Sequence, residues 1–333
     1  MRALVADIGG TNARFALASM DEPIPALHHR RALPAAEFAS LQHAAEHYLE
    51  ELDETPGHAA FAVACPVRDD EIRLTNRAWS FSRHELQRAL ALDHLLVLND
   101  FGAAAWTVPT LAESDSVPIY GPPEPGRRGP VSVLGPGTGL GMALLVGDDD
   151  IGWRVVETEG GHASFAPHGT EERAIADWLA ARHGRVSIER ALCGIGLSQI
   201  DAALSRRKPG KQDTPDNELR PPADIVAAAL EGHDVPSRQA LARFCAILGS
   251  VAGDTALMHG ARAVMIAGGI VPRIVPFLRA SAFRERFLDK GRFAAYLESV
   301  SVRVIMHPAP GLLGAALALR SELSLRPPTQ DTP

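Results

Sequence analysis

Apolar residues recur along this chain with two periods. Residues 2–8 (RALVADI) and 13–18 (ARFALA) read as strands, and HAAFAVA (58–64) and LLVLN (95–99) as buried ones. Between them, PAAEFASLQHAAEHYLEEL (34–52) sets Phe38, Leu41, Ala45, Tyr48 and Leu52 at helical spacing, with acids and histidines on the other face. The second half repeats the theme. Strands are expected at 131–135, 142–146, 263–267 and 302–306, and helices at 171–183, near 222–231, and at 237–259 and 311–323. Strands alternating with helices predict an α/β architecture. The stretch GPPEPGRRGP (121–130) reads as a linker between two domains, and RRKPGKQDTPDNELRPP (206–222) as a polar loop. The tail RPPTQDTP (326–333) is expected to be disordered.

Composition narrows the partners. The formal net charge of −7 argues against nucleic acid or an anionic membrane, since both favour a basic surface. Cys65, Cys193 and Cys245 lack CxxC spacing, which points away from a disulfide framework or a zinc site and towards a reducing cytoplasm. Met-Arg runs straight into the first strand with no charged and apolar leader, and apolar runs stay short of membrane-span length. A soluble cytoplasmic chain is expected.

Candidate chemistry sits at the ends of strands. VADIGGTNARF (5–15) passes through Gly9-Gly10-Thr11-Asn12 into a second alternating segment, so the turn is a hairpin rather than a strand-to-helix phosphate loop. No GxxxxGK[ST] occurs, and the three lysines (Lys208, Lys211, Lys290) do not end strands. VLGPGTGLGMALL (133–145) repeats the pattern with Gly137-Thr138-Gly139. Two such turns can grip a phosphate chain through backbone amides and threonine hydroxyls. A third, AVMIAGGIVPR (263–273), ends a strand in Gly268-Gly269, where a flat nucleoside can lie against bare backbone. Asn99-Asp100 stands where a buried strand meets a helix, the usual ligand position in open α/β sheets. Asp100 is there either a helix N-cap or a catalytic base. Taken alone, Glu159 in EGGH and Glu189 after Ser187 read first as turn and helix-start residues, and His162 as a satisfied core histidine.

The motifs VADIGGTNARFAL, LTNRAWSFS (74–82), LNDF (98–101), GPGTGLG (135–141), EGGHASFAP (159–167), SIERALCGIGL (187–197), IAGGIVPR (266–273) and DKGRF (289–293) together resemble bacterial glucokinase. The likeness is to the group without the zinc cysteine cluster of the repressor-ORF-kinase sugar kinases, and it runs from residue 4 to about residue 315. It implies an actin-like (ribonuclease H-like) ATPase fold, two α/β domains facing across a cleft. Domains are then expected at 1–120 plus 308–325, the last helix returning to the first, and at 121–307. The resemblance further implies ATP and magnesium as cofactors, glucose as substrate, and a homodimer.

Residue by residue, it implies that Asp100 is the base for the sugar 6-hydroxyl and Asn99 a sugar contact, with Glu159, His162 and Glu189 on the other hydroxyls. Gly9, Gly10, Thr11 and Asn12 with Gly137, Thr138 and Gly139 surround the phosphates. Asp7 orients magnesium through water, and Gly268 and Gly269 border adenosine. One departure is Pro136, where an alanine is more usual; it removes one amide donor. The alternatives are a kinase of the same fold for another hexose or an amino sugar, a sugar-sensing regulator, which would need a DNA-binding segment before the first strand, and a chaperone-type ATPase without a polar sugar pocket.

Overall fold

The computed structural model describes residues 1–74, 79–123, 128–205 and 219–325. The chain divides into two compact units: Met1–Leu111 with the segment from His307 onward, and Ala112–Met306.

The first unit opens with an antiparallel hairpin of β1 (Arg2–Ile8) and β2 (Asn12–Ser19), to which β3 (Ala26–Pro34) adds an edge. The helix expected from residue 34 begins later, as α1 (Leu41–Glu50). Ser40 sets that start, its side chain accepting the His43 amide at 3.2 Å, while Phe38 is extended. Leu41, Ala45 and Tyr48 are buried as the periodicity predicts; Phe38 and Leu52 reach the same core from outside the helix. There follow β4 (His58–Val63), a small ribbon of β5 (Glu71–Arg73) and β6 (Ser80–Ser82), α2 (Arg83–Ala89), β7 (His94–Asn99) and α3 (Asp100–Thr107). The sheet order is β3-β2-β1-β4-β7, with β1, β4 and β7 parallel.

The second unit contains β8 (Ser116–Tyr120), β9 (Val131–Pro136), β10 (Leu140–Asp148), β11 (Gly152–Thr158), α4 (Gly169–His183), α5 (Ile188–Ala191) and α6 (Gly194–Leu204). It continues through α7 (Pro222–Glu231), α8 (Val235–His259), β12 (Ala263–Ile266), α9 (Val275–Ala280), α10 (Phe283–Leu288), α11 (Ala294–Glu298) and β13 (Ser301–Ile305). Its sheet runs β11-β10-β9-β12-β13-β8. Three antiparallel strands followed by parallel ones is the plan of the first sheet again, with β8 as an added antiparallel edge. The boundary expected at residue 120 therefore moves: Ser116–Tyr120 pairs with β13 and belongs to the second unit. Helix α8 is long and apolar enough to cross a membrane, but it is the core helix of this unit, with Leu241, Phe244, Ile247 and Leu248 fully buried.

The chain returns to the first unit as α12 (Pro310–Leu325). Strand alternation decides what α12 meets. Leu4, Ala6 and Ile8 of β1 face α1, whereas Ala3 and Val5 face α12 alongside Ala60 and Ala62 of β4. These small residues let helices approach closely. A Cβ on Gly314 of α12 would collide with the Ala103 carbonyl of α3. The residues 75–78 of LTNRAWSFS, most of the 206–222 loop and the 326–333 tail lie outside the described residues.

Candidate active site

In the first unit the expected residues gather where β1 and β7 end. The Gly9–Asn12 turn does join two strands, closed by the Gly9 amide donating to the Asn12 carbonyl at 3.0 Å. Asp7 and Arg14 stand opposite each other in the hairpin register, and Arg14 Nη1 donates to Asp7 Oδ2 at 3.2 Å. Burial raises the Asp7 pKa above the usual carboxylate value, and the arginine charge opposes that rise. Arg14 was missed in the sequence, although the symmetry of the hairpin about residues 10 and 11 pairs it with Asp7.

The cap of α3 is not Asp100. The N-cap of α3 is Asn99, whose Oδ1 accepts the amides of Phe101 at 2.9 Å and Gly102 at 3.3 Å. Its Nδ2 donates to the Cys65 carbonyl at 3.3 Å, and the residue is 9% exposed. Asp100 is the first helical residue, its Oδ1 accepting the Phe101 amide at 2.9 Å. Asn99 thereby fixes the backbone that carries Asp100.

In the second unit, Gly137-Thr138-Gly139 joins β9 to β10, and the Gly137 amide donates to the Gly139 carbonyl at 2.8 Å. A Cβ at Gly137 would meet nothing within 4 Å, so this glycine faces open space. Beside it, β12 runs parallel to β9 and ends at Gly268-Gly269. Gly268 has a φ of 92°, and a Cβ there would come 2.5 Å from the Pro136 carbonyl oxygen. Gly269 faces open space like Gly137. Pro136, the departure noted above, is the last residue of β9, its carbonyl packed on Gly268.

Glu159, His162 and Glu189 come together against this same hairpin. Glu159 precedes the single turn Gly160–His162, and a Cβ at Gly161 would collide with the carbonyl of Leu140, the first residue of β10. Arg185 holds the turn by donating to the His162 carbonyl at 2.8 Å, and the Ile188 amide donates to Ala163 at 2.8 Å. His162 Nε2 lies 4.0 Å from Glu159 Oε2, and Nδ1 lies 3.9 Å from Glu189 Oε1. Glu159 and His162 are 44% and 60% exposed, open to a polar ligand. Ser187 stands at the N-cap of α5 but its hydroxyl makes no cap bond. Glu189 Oε2 instead accepts the Leu140 amide at 2.8 Å.

The doubled sheet plan is that of the actin-like fold, and comparisons with known proteins give the family. A Glucokinase family model matches residues 4–322. The chain is 46% identical to a glucokinase of Chromohalobacter salexigens, covering 96% of this chain and 98% of that one. Among solved structures, a glucokinase from an Antarctic psychrotroph is similar at 35% identity and a TM-score of 0.81, covering 96% and 99% of the two chains. A glucokinase of Balamuthia mandrillaris in complex with glucose, 21% identical with a TM-score of 0.80 over 96% and 93%, shares the fold. The chain belongs to the glucokinase family.

Proposed function

We propose that this protein transfers the γ-phosphoryl group of ATP to the 6-hydroxyl of D-glucose, giving ADP and glucose 6-phosphate at the start of glycolysis. One observation carries the reading: two carboxylates and an imidazole (Glu159, Glu189, His162) lie against the glycine hairpin Gly137–Gly139, so groups suited to neutral hydroxyls adjoin a turn suited to phosphate.

Within this reading Asp100 accepts the proton of the attacking 6-hydroxyl, a contribution of about 10² to 10⁴-fold. Glu159, His162 and Glu189 bond the remaining hydroxyls, and Asn99, committed at both ends to backbone, acts chiefly by holding Asp100. Gly9, Gly10, Thr11 and Asn12, with Gly137, Thr138 and Gly139, supply amides and hydroxyls to the phosphates. Gly268 and Gly269 border the adenosine. The residues fit a magnesium nucleotide: Gly137 and Gly269 leave space a side chain would fill, and Asp7 offers the hard oxygen donor magnesium prefers. Asp7 would hold that ion, which would supply charge to offset that of the phosphates. Family resemblance supports a cytoplasmic homodimer.

A panel of sugars and phosphate donors, read by coupled ADP release, tests the assignment. Glucose with ATP and magnesium is expected to give the highest kcat/KM. Turnover independent of sugar, or a preference for another hexose or an amino sugar, would overturn it.

A further inference from the structure

Glu189 is engaged on two sides. Its Oε2 accepts the amide of Leu140, the residue that follows Gly139, at 2.8 Å. A Cβ on Gly139 would collide with that same oxygen, so glycine is what lets the carboxylate reach the hairpin. Its Oε1 points the other way, 3.9 Å from His162 Nδ1. The segment carrying Glu189 ties the hairpin a second time, since the Gly194 amide donates to the Gly137 carbonyl at 2.8 Å. The turn is thus held at both flanks, with the Leu140 amide bound by one side chain that is 28% exposed.

Backbone amides receive a phosphate well only when their turn is already shaped for it, because ordering it on binding costs affinity. A carboxylate accepting an amide is among the stronger restraints available. We propose that Glu189 is a positioning residue for the Gly137–Gly139 hairpin in addition to facing the sugar, so that nucleotide affinity depends on it even when no sugar is bound. The proposal rests on the reading that this hairpin receives nucleotide phosphate.

Sugar-free titration of the non-hydrolysable ATP analogue AMPPNP, with magnesium, separates the possibilities. Glu189→Asp keeps the charge but falls short of the Leu140 amide, and Glu189→Ala removes both. Each is expected to weaken AMPPNP binding by about tenfold or more, the scale of a lost hydrogen bond to a charged group. Glu189→Gln keeps an oxygen acceptor and is expected to bind within a few-fold of wild type. Hydrogen–deuterium exchange of a peptide spanning residues 134–142 should quicken in the Asp and Ala variants and not in Gln. Wild-type AMPPNP affinity in the Asp variant would overturn the proposal, as would tighter binding in both the Gln and Ala variants, which a purely repulsive charge predicts. Gly137→Val, for which the free protein has room, tests the underlying reading: normal AMPPNP affinity there removes the hairpin from nucleotide binding. Weak binding by Gly137→Val beside normal binding by Glu189→Asp removes only the positioning role.

Discussion

Gly311, the second residue of α12, lies directly against the carboxylate of Asp7. A Cβ at Gly311 would come 2.7 Å from Asp7 Cγ and 3.1 Å from Cβ and Oδ1. Asp7 shares its face of β1 with Ala3 and Val5, the face that α12 covers, so the last described helix bounds the carboxylate assigned to magnesium. Gly311→Ala is expected to turn Asp7 away, lowering kcat about tenfold, roughly 1.4 kcal/mol in the barrier, and raising the magnesium concentration for half-maximal rate. Steady-state rates across a magnesium series check this; an unchanged series would mean the helix shifts and Asp7 does not.

Asn99 caps α3 and the proposed base is its neighbour Asp100, so two substitutions should separate cleanly. Asp100→Asn keeps the Asn99 cap and is expected to cost about 10²-fold or more in kcat with an unchanged melting temperature. Asn99→Ala loses the cap and the Cys65 bond, and is expected to destabilise the fold by about 1–2 kcal/mol. Kinetics and thermal melts on both variants decide; a kcat within a few-fold of wild type removes Asp100 as the base.

The two glycines after β12 differ in what a methyl would strike. Gly268→Ala is strained at its φ of 92° and presses on Pro136, so a lower melting temperature is expected. Gly269→Ala has open space and should melt normally while weakening nucleotide binding. Titration of ATP against both, beside their melts, measures the contrast.

The three cysteines are buried thiols. Burial pushes Cys193 up to about 11 and Cys245 up to about 12, leaving almost no thiolate at neutral pH. Native protein at pH 8 is expected to resist thiol-specific alkylation, and all three should react in denaturant. Mass spectrometry of the labelled protein reads the count.

What could be read from the residues alone was local. The glycine hairpins and the Asn99-Asp100 strand end are signalled by turn chemistry within a dozen residues. Strand β3 was not legible, because it is an edge carrying exposed His29, Arg30 and Arg31 with no buried alternation. Nor was β8, which contains Pro118 and finds its partner only at β13, so the division near residue 120 was set too late. The contacts Arg14–Asp7, Gly311–Asp7 and Glu189–Leu140 depend on register or on distant segments meeting, and no single stretch announces them.

The discontinuous first unit also bears on how the chain is made. Leu312, Ala315, Ala316 and Leu319 cover the face formed by Ala3, Val5, Ala16, Ala60 and Ala62. During synthesis that face waits while the whole of Ala112–Met306 is added, roughly ten to forty seconds at ribosomal rates of about 5–20 residues per second. The second unit, contiguous in the chain, can finish first. A nascent chain halted before α12 therefore displays an uncovered sheet face, a surface a chaperone would recognise and a full-length chain would hide.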